Sequence, residues 1–180
     1  MGPNGAGKST LGHVIMGSSL NTVNQMVGYY NAQLKAYPSV ALGEGGAPDI
    51  RTFCTILCEE AAAEGVRAEI VFTQAMLETG WLQFGGDVKV DQFNFAGIGA
   101  TGGGVPGNSF PDVRTGIRAQ VQHLKAYAST EPLNNPCVDP RFHYVTRGSA
   151  PTMEQLSGKW ATGSGYGQSL ARILTGLSSY

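Results

Sequence analysis

The stretch that decides the fold is Arg67-Ala-Glu-Ile-Val-Phe-Thr-Gln-Ala-Met-Leu-Glu-Thr-Gly-Trp-Leu-Gln-Phe-Gly-Gly86, which predicts a helix with one acidic residue, Glu78, near its C-terminal end. One face of this helix carries Val71, Ala75, Glu78 and Leu82. Their spacings of four, three and four residues are those of a single helix face. Glu78 therefore projects from a largely apolar face, unless it bends outward into solvent as most glutamates do.

An apolar environment gives the Glu78 side chain a specific chemistry. It disfavours the charged carboxylate and so raises the pKa of the group, and the negative end of the helix dipole acts in the same direction. A carboxyl group that stays protonated near neutral pH can act as a general acid, which is how glycosidases protonate a leaving oxygen. Glu78 is therefore the candidate catalytic acid, and the alternative is a solvated glutamate without a catalytic role.

Helix caps and apolar stripes of helical period predict five more helices along the chain. They cover residues 22–34, 50–64, 112–128, 153–160 and 170–177. A Gly/Pro-rich loop is expected at residues 37–48. The helical period is lost after Trp81: Asp87–Phe95 alternates in part, and Gly97–Gly107 is dense in glycine. We expect a small β-lobe or an irregular lobe there, and so a mostly α-helical α+β fold.

The composition describes one folded domain. The chain has 180 residues, of which 42% are hydrophobic and only 14% charged, so it has enough apolar chain for a core. The formal net charge is −1 and no run of Lys or Arg occurs, which argues against nucleic acid or an anionic membrane as a partner. No apolar run approaches the ~20 residues of a membrane span, and no signal peptide is expected in this chain.

The cysteines and histidines give no sign of a metal site. Cys54 and Cys58 lie four residues apart on a predicted helix, where small buried hydrophobic side chains are the expected reading. With Cys137 they form no CxxC or Cys/His spacing, so neither a metal nor a cofactor is expected. His123 lies beside the apolar stripe of its predicted helix, and we expect a packed or surface histidine there.

The first residues match a phosphate-binding pattern. Gly2-Pro-Asn-Gly-Ala-Gly-Lys-Ser9 fits G-x-x-x-x-G-K-[ST] and resembles the nucleotide-binding loop of transporter-type ATPases. That loop works only after a buried strand that aims it, and only Met1 precedes it here. Leu156–Trp160 is not the LSGGQ signature of those ATPases either. Residues 1–14 are therefore expected to be a flexible leader or a fusion or junction segment, with a nucleotide-binding module as the alternative.

Four separate blocks, by their order and spacing, resemble a known family. The blocks Ala75–Trp81, Asn94–Ile98, Val113–Tyr127 and Gly165–Gly167 are similar to the glucosaminidase domain of glycoside hydrolase family 73, in the versions found in clostridial cell-wall hydrolases and their phages. The resemblance assigns residues 15–180 to that domain. It implies a lysozyme-like fold in which a helical lobe and a small β-lobe flank a substrate cleft.

The resemblance also implies a function. The expected reaction is hydrolysis of the β-1,4 bond after N-acetylglucosamine in the glycan strands of bacterial peptidoglycan, without a cofactor. The expected location is extracellular or in the cell wall, or in a phage-encoded protein released at lysis. The domain is expected to be a monomer, and it can be joined to wall-binding modules in a longer chain.

Residue by residue, the resemblance makes Glu78 the general acid. The cleft-lining positions that it implies are Asn94, Phe95, Gly97 and Tyr166. Trp81 and Phe84 follow Glu78 directly, and their aromatic rings either pack behind it or stack on a sugar.

The second carboxylate of a two-carboxylate mechanism stays open. Asp87 and Asp91 in the small lobe are the candidates, whereas Asp112 has the position of a helix cap. The substrate's own acetamido group is a further candidate nucleophile. Two other activities use the same type of cleft, namely those of a muramidase and a lytic transglycosylase, and a wall-binding module without catalysis is the remaining alternative.

Overall fold

The computed structural model describes residues 12–180, and the P-loop-like stretch Gly2–Ser9 lies outside the described residues. Within them the chain forms six α-helices, which we number in chain order. They are α1 Val23–Ala32, α2 Ser39–Glu44, α3 Ile50–Glu64, α4 Ala68–Thr79, α5 Val113–Ala128 and α6 Tyr166–Leu177. Three short 3-10 helices complete them: Val90–Gln92, Phe142–Tyr144 and Met153–Leu156. The mostly helical fold that the sequence predicts is confirmed.

The caps form as predicted because they need only neighbouring residues. The Thr22 side chain accepts a hydrogen bond from Gln25 N, and the Gln25 side chain accepts one from Thr22 N, which is a complete capping box at the start of α1. Asp49 and Asp112 cap α3 and α5 in the same way, each accepting a hydrogen bond from a backbone N–H three residues on. Gly65 ends α3 in the left-handed conformation.

Helix α4 lies at the centre of the molecule. Ten of its 12 residues are buried, and it packs against α3, α5 and α6. Only Leu77 and Glu78 reach the surface, both at the C-terminal end of the helix. The helix is buried on all sides along most of its length, so the exposed Glu78 marks the place where its C-terminal end reaches solvent.

Two stretches differ from the sequence prediction. The expected loop at 37–48 contains the short helix α2, because Leu42 is fully buried and anchors this segment to the core. The helix expected at 153–160 is a single 3-10 turn that ends before Gly158, which is left-handed with φ 77°. The chain then turns, and Trp160 faces the small lobe, where its Nε1 donates to the Ala96 carbonyl at 3.0 Å.

The small lobe between α4 and α5 is irregular and is not a β-lobe, which decides between the two expected alternatives. It holds the 3-10 helix Val90–Gln92 and, among the residues described, one isolated antiparallel bridge between Gly102 and Val105 instead of regular strands. The lobe is packed tightly on α5: the Phe93 carbonyl lies so close to Gly116 that a Cβ at this position would collide with it. Glycine is therefore required in the middle of this helix.

The connection between α5 and α6 is tied to α3 by a buried carboxylate. Glu64 accepts hydrogen bonds of 2.9 Å from Lys125 Nζ, Asn134 N and Asn135 N. The Glu64 and Lys125 side chains are only 1% and 3% exposed. This cluster fixes the first part of the connection against the helices.

No helix within residues 12–180 is long and apolar enough to cross a membrane. In the same part of the chain no group of three or more His, Cys, Asp or Glu side chains is arranged to hold a metal ion. The cysteines are free thiols; Cys54 is buried, and burial raises the pKa of the Cys58 thiol to about 11.

Candidate active site

The C-terminal end of α4 is a tight left-handed turn directly after Glu78. Gly80, Trp81 and Leu82 have φ values of 58°, 61° and 64° in succession. Positive φ values are uncommon for residues other than glycine. Thr79 supports the turn, because its hydroxyl accepts a hydrogen bond from Leu82 N at 2.8 Å and donates one to Ala75 O at 2.7 Å. The turn fixes where the helix ends and so where Glu78 emerges.

Glu78 is paired with Tyr166, the first residue of α6. The Tyr166 hydroxyl donates a hydrogen bond of 2.7 Å to Glu78 Oε2. Gln74 Nε2 donates to the same hydroxyl oxygen at 3.0 Å, and Gln120 Nε2 donates to Gln74 Oε1 at 3.0 Å. Because both glutamines are fully buried, this chain of hydrogen bonds directs the tyrosine proton toward the carboxylate.

The surroundings of Glu78 favour its protonated form. Glu78 is exposed to solvent at the residue level, yet dense protein surrounds its carboxyl group on most sides, a combination typical of the floor of a cleft. This partial burial raises the pKa of the carboxyl above its ordinary value, and the hydrogen bond from Tyr166 opposes the shift without reversing it. Burial, followed by the charge of Glu78, raises the pKa of Tyr166, so the tyrosine stays a donor.

Gly97 of the small lobe approaches Glu78 from the other side. A Cβ at Gly97 would lie 3.0 Å from Glu78 Oε1, and the residue is left-handed with φ 67°. Any larger residue would be strained and would crowd the acid. The structure therefore brings Glu78, Tyr166 and Gly97 together, as the sequence predicts for the cleft.

The side chains of Asn94 and Phe95, by contrast, point away from the cleft. Asn94 Nδ2 donates to the carbonyls of Ile98 and Asn108, each at 2.9 Å, and its Oδ1 accepts from Ile98 N at 3.0 Å. Phe95 is fully buried and packs edge-on against Phe53 at 5.0 Å between ring centroids. Both side chains hold the loop that presents Gly97, and the predicted contact of these two residues with substrate stays a prediction.

Trp81 and Phe84 also pack against the core. The Trp81 ring contacts Tyr29 edge-on at a centroid distance of 5.0 Å, and Phe72 lies on it at 6.2 Å. Phe84 packs edge-on against Phe95 at 6.0 Å. These contacts favour the packing alternative over stacking on a sugar, and they support the left-handed turn after Glu78.

The two candidates for the second carboxylate lie in the small lobe and form no hydrogen bond to the Glu78–Tyr166 pair in the described structure. Asp87 accepts a hydrogen bond from Gly104 N at 3.2 Å, which links it to the glycine-rich loop. Asp91 is exposed on the 3-10 helix. Within the described chain neither aspartate is hydrogen-bonded to Glu78 or Tyr166. No contact therefore assigns the role of second carboxylate to either of them.

A pocket of about 250 Å³ adjoins this site, and no motif or spacing in the sequence predicts it. We call it the aromatic pocket, and it is lined by Gly97 and by His123, Tyr127, Arg141, Tyr144, Lys159 and Trp160. Gln74 could have been found, because it lies four residues before Glu78 on the same helix face. Gln120 and the pocket residues had no local signal.

The fold is that of a mostly helical, lysozyme-like domain, and the Glu78–Tyr166 pair lies where the C-terminal end of α4 meets the first residue of α6. The chain belongs to the glucosaminidase family, described as mannosyl-glycoprotein endo-beta-N-acetylglucosaminidase, which matches residues 54–179. An uncharacterized protein of Borreliella burgdorferi is 46% identical over 131 residues, which is 73% of this chain and 64% of that protein. The chain thus spans less than two thirds of this relative's length. No solved structure matches the chain.

Replacing Tyr166 by phenylalanine is expected to move the pH profile of catalysis. The tyrosine hydrogen bond stabilises the ionised form of Glu78 and lowers its pKa, so the pKa rises when the hydroxyl is removed. A general acid works only while protonated, and activity falls as pH rises through its pKa. The alkaline limb of kcat should therefore shift to higher pH in Tyr166→Phe. An unchanged or acid-shifted limb would contradict the pairing, and Tyr180→Phe, on an exposed tyrosine, is the control.

Proposed function

We propose that this domain hydrolyses the β-1,4 bond after N-acetylglucosamine in the glycan strands of bacterial peptidoglycan, with Glu78 as the general acid. One observation carries the proposal: Glu78, at the surface end of a buried helix, has a raised pKa and is oriented by a tyrosine that two buried glutamines hold in place. Membership of the glucosaminidase family supports N-acetylglucosamine as the sugar on the non-reducing side of the bond.

In the proposed mechanism, Glu78 protonates the glycosidic oxygen as the bond to the anomeric carbon breaks. The cleft geometry supports this role, because the open side of the carboxyl faces solvent while Tyr166 occupies Oε2 and Gly97 leaves room beside Oε1. Tyr166 then stabilises the carboxylate that remains after the proton has left.

The positive charge that develops on the sugar needs a second group. Asp87 and Asp91 are the proposed carboxylates, and each would have to approach the sugar through movement of the small lobe. The hydrogen bond between Asp87 and Gly104 couples the first of them to the glycine-rich loop. The acetamido group of the substrate is the alternative nucleophile, since it is already placed beside the anomeric carbon.

Fragment analysis tests the proposal. Purified peptidoglycan is digested with the full chain, the products are reduced, and mass spectrometry identifies the sugar at the new reducing end. We expect reduced N-acetylglucosamine. A reduced muramic end would replace the proposal by a muramidase, and an anhydromuramic end by a lytic transglycosylase. Binding to the wall without release of sugar would make the domain a binding module.

Two further points belong to the proposal. Work on the cell wall places the protein outside the cell or in lysates opened by a phage, and the domain acts as a monomer that wall-binding modules can accompany. The nucleotide-binding alternative rests on Gly2–Ser9, which lie outside both the described residues and the family match. A chain without residues 1–11 should retain its hydrolytic activity. The rest of the expected leader stays in this variant, because His13 bonds to Glu154 and Val14 forms a bridge with Thr152.

A further inference from the structure

The aromatic pocket is continuous with the site of Glu78. Gly97 lies beside the Glu78 carboxyl, where a Cβ would come within 3.0 Å of Oε1, and it also lines the pocket. Trp160, which forms a wall of the pocket, is bound through Nε1 to the Ala96 carbonyl of the same loop. Gly97 and the loop that carries it therefore connect the site of Glu78 to this pocket.

The walls of the pocket suit a sugar ring. The Trp160 ring lies 4.6 Å from the ring of His123 and 5.9 Å from that of Tyr127, and all three side chains are partly exposed. Pockets that bind small ligands are lined by aromatic groups with a few placed polar ones, and aromatic faces cover the C–H faces of sugars.

The charge in the pocket has one sign. Arg141 and Lys159 line it, and no carboxylate does within the described part of the chain. The Arg141 guanidinium stacks over the Tyr144 ring at 4.7 Å, and neither it nor the Lys159 ammonium forms an ion pair with a described residue. In a chain with a formal net charge of −1, two free cations beside a sugar-binding surface form a site for an anionic group.

The nearest buried carboxylate is already engaged and shapes the pocket. Asp139 Oδ2 lies 2.6 Å from His123 Nδ1, and its Oδ1 accepts a hydrogen bond from Arg141 N at 2.9 Å. The Asp139 side chain is fully buried. Asp139 therefore fixes the His123 imidazole in the pocket wall and positions the Arg141 backbone. It does not form an ion pair with the Arg141 guanidinium.

We propose that the aromatic pocket binds the sugar next to the cleaved bond through a carboxylate carried on that sugar. In peptidoglycan this carboxylate belongs either to the stem peptide or, where the peptide has been removed, to the free lactyl group of N-acetylmuramic acid. The proposal rests on the proposed function for the identity of the polymer. It adds a source of selectivity: the domain prefers acid-bearing glycan to neutral chitin-type glycan.

Charge-removing variants test the selectivity. The rates of Arg141→Gln, Lys159→Gln and the double variant are compared on three substrates: intact peptidoglycan, strands stripped of peptides by an amidase, and neutral N-acetylglucosamine oligomers. Lys35→Gln, which removes an exposed charge elsewhere, is the control and should match the unmodified protein. Because hydrogen bonds to charged groups are among the stronger ones, the double variant should lose roughly 10-fold or more in preference for acid-bearing over neutral substrate.

Comparing intact peptidoglycan with stripped strands distinguishes the two sources of the carboxylate. A loss only on intact peptidoglycan assigns the pocket to the stem peptide, and a loss on stripped strands assigns it to the lactyl group. If the double variant keeps the full preference on both, the proposal is wrong.

A binding measurement keeps this inference separate from the proposed function. Chemical-shift titrations compare N-acetylmuramic acid and muramyl dipeptide with N-acetylglucosamine, for the unmodified protein and the double variant. Binding that depends on the carboxylate and on both cations supports the pocket even if no glycan is cleaved, which would overturn only the proposed function. Equal binding of acidic and neutral sugars would overturn the pocket even if peptidoglycan is cleaved.

Discussion

Glu78→Gln is expected to lower the rate of glycan hydrolysis by about 10²–10⁴-fold, the range that general acids contribute. Glutamine keeps the size and shape of the side chain and still accepts the hydrogen bond from Tyr166, so the cleft should keep its geometry. What is lost is the proton that the leaving oxygen needs. Release of soluble fragments from purified peptidoglycan measures the effect.

Glu44→Gln is the matched control, because Glu44 is also a glutamate at the end of a helix but is exposed on α2. It should hydrolyse as the unmodified protein does. Both variants should show the same circular dichroism and the same melting transition. Rapid hydrolysis by a correctly folded Glu78→Gln variant would remove Glu78 from the mechanism.

Glu64→Leu is expected to lower the free energy of unfolding by about 3–5 kcal/mol, the cost of leaving one member of a buried ion pair unpaired. The Glu64 carboxylate accepts from Lys125 Nζ and from the backbone N–H groups of Asn134 and Asn135. Without it, Lys125 keeps, among residues 12–180, only the Pro132 carbonyl at 2.9 Å, in a site that is nearly closed to water. Urea denaturation measures the loss.

Two further variants check this explanation. Glu59→Leu breaks the exposed ion pair with Arg114 and should cost at most about 1 kcal/mol, because surface pairs contribute little. The double variant Glu64→Leu/Lys125→Met removes the stranded charge and should recover part of the loss. If Glu64→Leu costs no more than Glu59→Leu, the buried cluster does not stabilise the fold. Since the same connection carries Asp139 and Arg141, we also expect Glu64→Leu to loosen the aromatic pocket.

The helices could be predicted from the sequence because each depends on nearby residues. Thr22, Asp49 and Asp112 bond to backbone groups three residues away, and Gly65 ends its helix through its own backbone conformation. The apolar stripes then required a helical fold in which α4 lies inside. The α2 helix was missed because six residues among glycines and prolines form a helix only when Leu42 finds the core.

Side-chain direction in the small lobe could not be predicted. The resemblance assigns the block from Asn94 to Gly97 to the cleft, and Gly97 is the member of this block that lies beside Glu78. The Asn94 side chain turns inward because the loop has no ladder of strand hydrogen bonds and its backbone groups need partners. Phe95 turns inward because its burial stabilises the lobe on the core.

Glu78 and the helix that carries it follow from the chain alone, since helical period, the Gly80 stop and the apolar face are properties of about 15 neighbouring residues. The surroundings of the Glu78 carboxyl do not follow from the chain alone. Tyr166 lies 88 residues away along the chain, and Gln120 meets Gln74 across 46 residues. Contacts of this range form only when separate helices pack, because no local hydrogen bond or spacing encodes which side chains then meet. The tertiary structure therefore decided both the hydrogen-bond partners of Glu78 and the charged pocket near it.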